Sequence, residues 1–370
     1  MLKQLLTLNI LLLTYFSSFC QKIDFVNGDG ALSIGTSSNR TAWITLTDID
    51  HDGDLDALVA NGRHWAEQSY IYFNDGTGNF KSGQPLGSLL QASYCIKAAD
   101  LNGDGYLDIV LANDKIPNMI YFGDTTMSFE KQQKFGQASP SRHVEIADLN
   151  NDGHPDLIIS NRKTQNEIWL NDGNGIYREC VYFGDQGAET IQAVAVDLNG
   201  DGYPDVVTAE RGGKNKIFIN NGHGEFAKII GFGNEEIDCR SITIADINTD
   251  GFPDVIAGYL GAPNRIYYGD KNLTYANFDE FGDSATTNSI AAGDFNRDGI
   301  LDIVEGNVEA VNRVFIGNGD GTFTMQHLRE DLKDDTYHVE AGDLNNDGLL
   351  DIVEANSDAW NLYYYTIRQK

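Results

Sequence analysis

The sequence has few cysteines, few basic residues and no long apolar segment beyond its first residues. Among 370 residues there are four cysteines, of which three, Cys95, Cys180 and Cys239, follow residue 20. An odd number at wide and unequal spacing argues against a disulfide framework, so at least one thiol stays unpaired. Lys and Arg total 26 against 55 Asp and Glu, a formal net charge of −29. This balance excludes a nucleic-acid or anionic-membrane surface unless the basic residues are gathered in one place.

Residues 1–20 form the one strongly apolar segment, with a Lys near the start and an apolar stretch from Leu8 to Phe16. This pattern is typical of a secretory signal peptide, cleaved before Gln21. A lipid anchor on Cys20 is disfavoured because a bulky Phe19 stands where a small residue is expected. No later segment approaches the roughly 20 apolar residues of a membrane helix. We therefore expect an exported protein, secreted or periplasmic, without a membrane span.

One nine-residue pattern occurs seven times, its copies starting 48 to 52 positions apart. A period of this length that fills the chain is typical of repeat architectures, in which each unit packs on its neighbours. The copies are DIDHDGDLD at Asp48, DLNGDGYLD at Asp100, DLNNDGHPD at Asp148, DLNGDGYPD at Asp197, DINTDGFPD at Asp246, DFNRDGILD at Asp294 and DLNNDGLLD at Asp343.

Each repeat holds four short extended segments, the first before the Asp-rich loop and three after it. Alternating Val, Ile, Tyr and Phe bounded by Gly, Asn and Asp is typical of strands, and four strands per repeat predict a propeller blade. The last repeat stops after its third segment, whereas residues 22–34 resemble a lone fourth strand. We predict an all-β, seven-bladed β-propeller of four-stranded blades. It forms one domain, residues 21–370, in which the N-terminal strand closes the last blade.

The Asp-rich loops have the composition of calcium sites. Side chains at positions 1, 3, 5 and 9 and the carbonyl at position 7 can surround one hard cation, and Gly at position 6 permits the sharp turn. An Asx-rich turn explains any single copy, but crowded carboxylates repeated seven times repel unless a cation compensates. We predict up to seven structural Ca²⁺ ions, which would offset about half of the net charge of −29. The predicted ligand side chains are Asp48, Asp50, Asp52, Asp56, Asp100, Asn102, Asp104, Asp108, Asp148, Asn150, Asp152, Asp156, Asp197, Asn199, Asp201, Asp205, Asp246, Asn248, Asp250, Asp254, Asp294, Asn296, Asp298, Asp302, Asp343, Asn345, Asp347 and Asp351.

These seven loops, with the surrounding "FG" and "NDGNG" turns, resemble the FG-GAP/VCBS repeat family, the calcium-loop propellers also seen in integrin α-chain heads. The resemblance covers essentially residues 22–367. It implies the propeller fold and the calcium sites. Its members include adhesion modules, lectin-like binders and carbohydrate-active enzymes, so the fold leaves the chemistry open.

The strand before each loop carries two kinds of residue in alternation. Four and two positions before the first Asp, every residue is apolar, as packing between blades requires. Five and three positions before it, large and polar residues are expected to face the central channel. The segment His-Val-Glu occurs here twice, starting at His143 and at His338, on blades about half a turn apart. One interpretation takes the two His-Glu pairs as ligands of a transition metal in the channel.

Basic and aromatic residues gather on the rim opposite the loops, in the turns after each second strand and before each first strand. Six of the twelve Arg residues fall there. In so acidic a chain this segregation predicts an anionic ligand. The predicted substrate-binding residues are Arg63, Trp65, Arg142, Arg162, Arg211, Arg240 and Trp360.

The basic, histidine and tyrosine residues of the rim and channel also suit β-elimination from a uronic acid. Basic side chains neutralise the carboxylate and so acidify the adjacent C–H, a base removes that proton, and an acid protonates the leaving oxygen. The resemblance also reaches exported propellers that are polysaccharide lyases or sugar dehydratases, some acting on uronate-containing algal glycans such as ulvan. We therefore expect a carbon-oxygen lyase, dehydratase or chain-cleaving, acting on uronate oligosaccharides. The candidate bases are His64, His143 and His338, and the candidate acids are Tyr94 and Tyr337.

The alternative is a non-catalytic propeller that binds glycan or protein through the same rim. The rim differs from blade to blade, which favours one asymmetric site over seven equivalent lectin sites. No Ser-His-Asp arrangement, phosphate loop or CxxC motif is present in the sequence. Glycoside hydrolysis by a pair of carboxyl groups is a further alternative, because five Glu residues near the channel are candidates for such a pair. They are Glu145, Glu210, Glu305, Glu340 and Glu354. We expect a monomer whose partner is an anionic oligosaccharide.

Overall fold

A computed structural model describes residues 22–28, 30–233, 237–283 and 286–369. The predicted signal peptide, residues 1–20, lies outside the described residues. Within them all long regular elements are β-strands, and no helix there is long and apolar enough to cross a membrane. The strands are β1 (Ile23–Val26), β2 (Ser33–Thr47), β3 (Asp56–Asn61), β4 (Tyr70–Tyr72), β5 (Gly83–Pro85), β6 (Ser93–Ala99), β7 (Asp108–Asn113), β8 (Asn118–Tyr121), β9 (Gln132–Phe135), β10 (Ser141–Ala147), β11 (Asp156–Asn161), β12 (Asn166–Asn171), β13 (Tyr177–Phe183), β14 (Thr190–Val196), β15 (Asp205–Glu210), β16 (Asn215–Asn220), β17 (Phe226–Phe232), β18 (Asp238–Ala245), β19 (Asp254–Leu260), β20 (Asn264–Tyr267), β21 (Phe278–Phe281), β22 (Thr287–Gly293), β23 (Asp302–Asn307), β24 (Arg313–Gly317), β25 (Phe323–His327), β26 (Asp335–Gly342) and β27 (Asp351–Arg368).

The strands form six antiparallel sheets, where the sequence predicts seven separate ones. Five sheets have four strands in chain order, β6 to β9, β10 to β13, β14 to β17, β18 to β21 and β22 to β25. The sixth has seven strands, in the order β1-β27-β2-β3-β4-β5, with β26 also paired to β27. The count differs because the 18-residue strand β27 hydrogen-bonds to β26, to the first residues of β2 and to β1. First and last repeats thus share one sheet in this β-propeller.

The apolar cores lie between successive sheets. The predicted packing positions four residues before each first Asp are all buried. Those two residues before it are partly buried and pack against the same cores, which confirms the apolar half of the alternation. One cluster joins Val110 and Ala112 of one sheet to Val144 and Ile159 of the next. Each large aliphatic side chain buried in this way contributes roughly 1.5–3 kcal/mol to stability. The three described cysteines are free thiols, as their number and spacing predict.

The ninth residue of every Asp-rich loop is a fully buried aspartate. In the third repeat, Asp156 accepts backbone N–H groups from Leu149 in its own loop at 3.1 Å and from Asn171 at the end of β12 at 2.9 Å. Equivalent pairs of hydrogen bonds occur in all seven repeats. Each buried carboxylate therefore ties its loop to the third strand of the same repeat.

The first strand of every repeat also carries a β-bulge. In β10 the pairing shifts between Ser141 and His143, so that Arg142 has no partner on β11. The Ser141 hydroxyl donates to the Asn161 side chain at 2.9 Å and holds the strands together beside the bulge. A bulge inserts one residue and turns its side chain in a new direction. The bulged residues are Ala42, Tyr94, Arg142, Ile191, Arg240, Asn288 and Tyr337.

Candidate functional site

All seven bulged residues line one cavity of about 250 Å³, here called the arginine pocket. The turns after three second strands complete its wall, with Arg63 and His64 following β3, Arg162 following β11 and Arg211 following β15. The backbone at Arg63 has a φ of +39°, a left-handed conformation that ends its strand sharply. The lining residues are Ala42, Trp43, Arg63, His64, Tyr94, Arg142, Arg162, Ile191, Gln192, Arg211, Arg240, Asn288 and Tyr337.

Two of the five arginines are held against tyrosine rings. The Arg142 guanidinium lies 4.0 Å from the centre of the Tyr94 ring and donates to Asp114 at 2.8 Å. The Arg63 guanidinium lies 3.8 Å from the centre of the Tyr337 ring and donates to the hydroxyl of Ser357 at 2.7 Å. Cation–π contacts of this kind fix the plane of each guanidinium while leaving the donors at its edge free to bond.

The other three arginines form a chain of ion pairs with two carboxylates. Arg162 and Arg211 flank Glu189, at 2.8 and 3.9 Å, and Arg211 and Arg240 flank Asp238, at 3.1 and 3.5 Å. Burial and the neighbouring charge of Arg211 lower the pKa of Arg240. Positive charges are therefore crowded together at this side of the pocket.

Several guanidinium donors in the arginine pocket make no hydrogen bond. The Nε atoms of Arg63, Arg162 and Arg240 are buried and have no partner among the described residues. A buried donor without a partner costs about 1–3 kcal/mol, so these three guanidiniums are held at a cost within the pocket wall.

A hydrogen-bonded chain joins His64 to Tyr94 and Asp114. The Nδ1 atom of His64 lies 3.1 Å from the Asp114 carboxylate, and its Nε2 atom lies 2.9 Å from the Tyr94 hydroxyl. Burial alone would raise the pKa of Asp114, but Arg142 and His64 outweigh it and hold that pKa below its ordinary value. Burial raises the pKa of Tyr94 in spite of the neighbouring Arg142 and Arg63. At neutral pH the chain thus contains a carboxylate and a protonated phenol.

The two His-Val-Glu segments lie beneath the pocket, around Trp43. The His338 ring stacks on the Trp43 indole with 3.5 Å between ring centres, and the His143 ring meets it edge-on at 4.8 Å. Burial and the charge of Lys97 keep the pKa of both histidines well below the ordinary value. The pair is therefore neutral and fills the channel under the floor of the pocket.

The two glutamates of these segments surround a buried lysine. Burial would lower the pKa of Lys97, but Glu145 and Glu340 reverse the effect and raise it. Burial likewise raises the pKa of Glu145, and raises that of Glu340 to about 7, with Lys97 opposing both shifts. The repeated His-Val-Glu thus sets two imidazole rings against Trp43 and two carboxyl groups near Lys97, which belong to other repeats.

The transition-metal interpretation of these pairs finds no geometric support. Among the described residues, one group of three or more His, Cys, Asp or Glu side chains brings its ligand atoms within 4.8 Å of one another, namely Asp48, Asp50 and Asp56 in the first loop. The histidines and glutamates of the channel contact Trp43 and Lys97 instead of converging on a common point.

The remaining predicted residues lie outside the pocket. Trp65 and Trp360 are 64% and 50% exposed on the rim, where Trp65 lies 5.6 Å from the guanidinium of Arg40. The glutamates proposed for glycoside hydrolysis do not line it. Three are hydrogen-bonded inside the sheets, Glu210 to Thr190 and Thr208, Glu305 to Asn264 and Asn307, and Glu354 to Asn312 and Tyr364.

The sequence analysis missed the carboxylates that position the arginines. Asp114, Glu189 and Asp238 each lie at the end of a strand on the rim, next to an arginine of a neighbouring turn or bulge. These acidic residues stand in or next to the turns that carry the basic ones. In a chain of net charge −29, an acidic side chain in a turn does not by itself indicate a site.

The Asp-rich loops are shaped by their own oxygen atoms. In the third repeat, the first Asp, Asp148, accepts the N–H groups of Asp152 and Gly153 at 3.1 and 2.8 Å. The glycine at position 6 has a φ between 84° and 97° in all seven loops, which other residues adopt at a cost. Burial, aided by Asp50 and Asp52, raises the pKa of Asp56 to about 7 despite two backbone hydrogen bonds. Such clustered oxygen atoms fit a hard cation such as Ca²⁺.

The chain belongs to the family of FG-GAP-like repeats. Six successive matches to that family cover most of the propeller, and five of them begin at the first Asp of a loop. They span residues 48–111, 100–159, 148–208, 197–257, 246–305 and 306–354. No curated protein matches the chain.

Several solved structures share the fold. BP39L lectin from Burkholderia pseudomallei has a TM-score of 0.68 at 10% identity, covering 89% of this chain and 96% of its own. An Agrocybe aegerita lectin, described as recognising non-reducing terminal N-acetylglucosamine, has a TM-score of 0.58 at 18% identity, and the match covers 87% of this chain and 86% of the lectin. BBS1N, solved in complex with ARL6DN, has a TM-score of 0.64 at 12% identity, and the match covers 94% of this chain and 98% of BBS1N. At these identities the likeness concerns the fold alone.

Replacing the carboxylate that anchors the pocket tests its electrostatics. We expect Asp114→Asn to lower the free energy of unfolding by about 3 kcal/mol at neutral pH, because the buried Arg142 guanidinium loses its anion. Since the folded-state pKa of Asp114 is depressed, its contribution is present above the unfolded pKa of about 3.9 and is lost as the pH falls further.

The measurement is urea unfolding of wild type and variant from neutral pH down to about pH 3, where the difference should shrink. The exposed Glu130→Gln variant serves as control. Equal stability of Asp114→Asn and wild type at neutral pH would contradict the role given to Asp114.

Proposed function

We propose that the protein binds the acidic end of an oligosaccharide in the arginine pocket. The observation that carries this proposal is the gathering of five arginines around one cavity in a chain of net charge −29. Guanidinium groups present planar pairs of donors that match carboxylates and sulfates. Five such residues, Arg63, Arg142, Arg162, Arg211 and Arg240, line this one cavity, where their guanidinium groups can meet a ligand.

The shape of the pocket favours the end of a chain over its middle. Trp43 lines the pocket and the two buried histidines pack against it, which favours a ligand that enters from the rim. Ligand pockets usually measure about 300–1,000 Å³. At about 250 Å³ the arginine pocket suits one sugar unit held at the base of a longer ligand.

Aromatic side chains on the rim support a sugar ligand. Trp65 and Trp360 expose large flat surfaces on the rim, which suit stacking against sugar rings. Two of the solved structures that share this fold are lectins. An exported protein, as the segment at residues 1–20 suggests, would meet such glycans outside the cell.

Binding depends on charge in a way that one substitution can test. Arg63→Gln should weaken binding of a trisaccharide ending in glucuronic acid by roughly 10- to 100-fold, the effect of one hydrogen bond to a charged group. Arg63 suits the test because its side chain donates to the hydroxyl of Ser357 and forms no ion pair with a carboxylate of the described residues.

Isothermal titration calorimetry measures the Kd of the trisaccharide for wild type and variant. The exposed Arg178→Gln is the charge-matched control protein, and the carboxyl-reduced trisaccharide is the control ligand. Binding of the neutral and acidic trisaccharides with equal affinity would refute the proposal.

β-Elimination on the same ligand is a second candidate, favoured by the chain of His64, Tyr94 and Asp114. The arginines would hold the uronate carboxylate and stabilise the charge that develops when the adjacent C5–H is removed. His64, oriented by Asp114, would take that proton. The C4–O bond then breaks as the C4–C5 double bond forms, and Tyr94, which burial keeps protonated, gives its proton to the leaving oxygen.

If the protein is such an enzyme, incubation with uronate oligosaccharides should produce the ultraviolet absorbance of an unsaturated product. Loss of one water in the mass spectrum identifies a dehydratase, and a shortened chain identifies a lyase. His64→Gln and Tyr94→Phe should abolish the absorbance while retaining binding, because the arginines are untouched. Saturable binding without any absorbance change would leave a glycan-binding propeller.

We further propose that the loops hold structural Ca²⁺ through the side chains at positions 1, 3, 5 and 9 and the carbonyl at position 7. A bound cation would offset the repulsion between these carboxylates and fix the hairpin between the first and second strands. The convergence of Asp48, Asp50 and Asp56 within 4.8 Å supports such a site in the first loop.

Adding Ca²⁺ to chelator-treated protein should raise its thermal midpoint, because each site adds about 2.7 kcal/mol to the free energy of unfolding at 100-fold excess over its Kd. Mg²⁺ should act less, since it prefers a smaller octahedral site. Asp201→Asn should reduce the calorimetric Ca²⁺ stoichiometry by one, whereas Asp124→Asn, in a turn outside the loops, should not. An equal thermal midpoint with and without Ca²⁺ would contradict the proposed calcium sites.

We also infer that the seven-stranded sheet contains two blades, which makes seven blades in all with β1 in the last. Between the second and third repeats, Asn171 donates to the carbonyl of Leu101 at 2.8 Å. In the same way, Asn74 of the first repeat donates to the carbonyl of Leu344 in the last repeat at 2.9 Å. The first and last repeats therefore contact each other as consecutive neighbours do. An experimental structure with a gap between them would contradict a closed ring.

A further inference from the structure

The five arginines of the pocket fall into two groups. The first, here the Arg63 group, comprises Arg63 and Arg142, each lying over a tyrosine ring. The second, here the Arg211 group, comprises Arg162, Arg211 and Arg240, joined through shared carboxylates. No ion pair found between described residues links one group to the other.

Each group carries more positive charge than its own carboxylates neutralise. The Arg63 group has two guanidiniums and one carboxylate, that of Asp114. The Arg211 group has three guanidiniums and two carboxylates, those of Glu189 and Asp238, and the ammonium of Lys163 also lies 3.8 Å from Glu189. The pocket therefore has uncompensated positive charge in two separate places. Excess charge in a partly buried site disfavours the empty state and favours an anion at each place.

Members of both groups line the same cavity. An anion bound at one group leaves the guanidiniums of the other without an added anion. A ligand with a single carboxylate would therefore use only part of the charge and hydrogen-bonding capacity of the pocket.

We propose that the arginine pocket recognises an oligosaccharide end bearing two anionic groups, one bound by the Arg63 group and one by the Arg211 group. This inference rests on the proposed function and specifies its ligand. One anion is the carboxylate of a uronic acid, and the other is a sulfate ester or second carboxylate on the same or the adjoining sugar. Neutral glycans and singly charged glycans are discriminated against because a buried positive charge remains unpaired.

The test compares three disaccharides by isothermal titration calorimetry at fixed ionic strength. One contains a single glucuronic acid, the second is the same disaccharide with one O-sulfate, and the third contains two uronic acids. The proteins are wild type, Arg63→Gln, Arg240→Gln and the control Arg178→Gln. Fixed salt is essential because these affinities contain a screened electrostatic part.

On wild type, at least one of the doubly charged disaccharides should bind roughly 10- to 100-fold more tightly than the singly charged one. The doubly charged disaccharide that binds more tightly identifies the second anion as a sulfate or a carboxylate. One of the two variants, Arg63→Gln or Arg240→Gln, should bind the doubly charged disaccharide no more tightly than the singly charged one. The other should bind all three disaccharides more weakly by the same factor and so keep the wild-type difference in affinity. Arg178→Gln should leave every affinity unchanged.

Three results separate failure of this inference from failure of the proposed function. Equal affinity of all three disaccharides for wild type would overturn the two-anion inference while the acidic-end proposal stands. A gain that both variants preserve would show that the second anion is bound elsewhere, which also overturns it. Absence of binding by every disaccharide would overturn the proposed function itself.

Discussion

The fold depends on one buried carboxylate in each repeat, the aspartate that ends the loop. Its two oxygens accept backbone N–H groups from the loop and from a residue near the end of the third strand, as Asp254 does from Ile247 and from Gly269, which follows β20. A buried carboxylate deprived of these bonds would be costly, so three strands are fixed relative to one another. Because the register of the first strand is set at this end, the position of its bulge at the other end follows.

The bulges connect this scaffold to the site. Each repeat places one bulged side chain at the mouth of the channel, and the seven together line a single cavity. The hydrogen bonds that hold a bulge come from neighbouring residues, as Ser141 and Asn161 do beside Arg142. The bulged residue itself can therefore vary without altering the sheet. This separation explains how a repetitive fold presents an irregular pocket in which Arg142, Arg240, Tyr94 and Tyr337 stand at equivalent positions.

Acidic residues serve opposite purposes at the two faces. On the loop face they crowd together, and burial near other carboxylates raises the pKa of Asp56 to about 7. On the rim face Asp114, Glu189 and Asp238 each contact arginines and hold them around the pocket. A pocket built in this way is organised before a ligand arrives, because the guanidiniums are already oriented.

The sequence by itself determined the all-β repeat, the seven loops, the apolar packing positions and the collection of arginines on one rim. These follow from local periodicity and composition, which act within one repeat. It did not determine that the first and last repeats share a sheet, that His143 and His338 enclose Trp43, or that Asp114 joins Arg142 to His64. Those contacts connect residues of different repeats. Only the tertiary structure decides them, because the distance between two repeats depends on how the whole chain curves and packs.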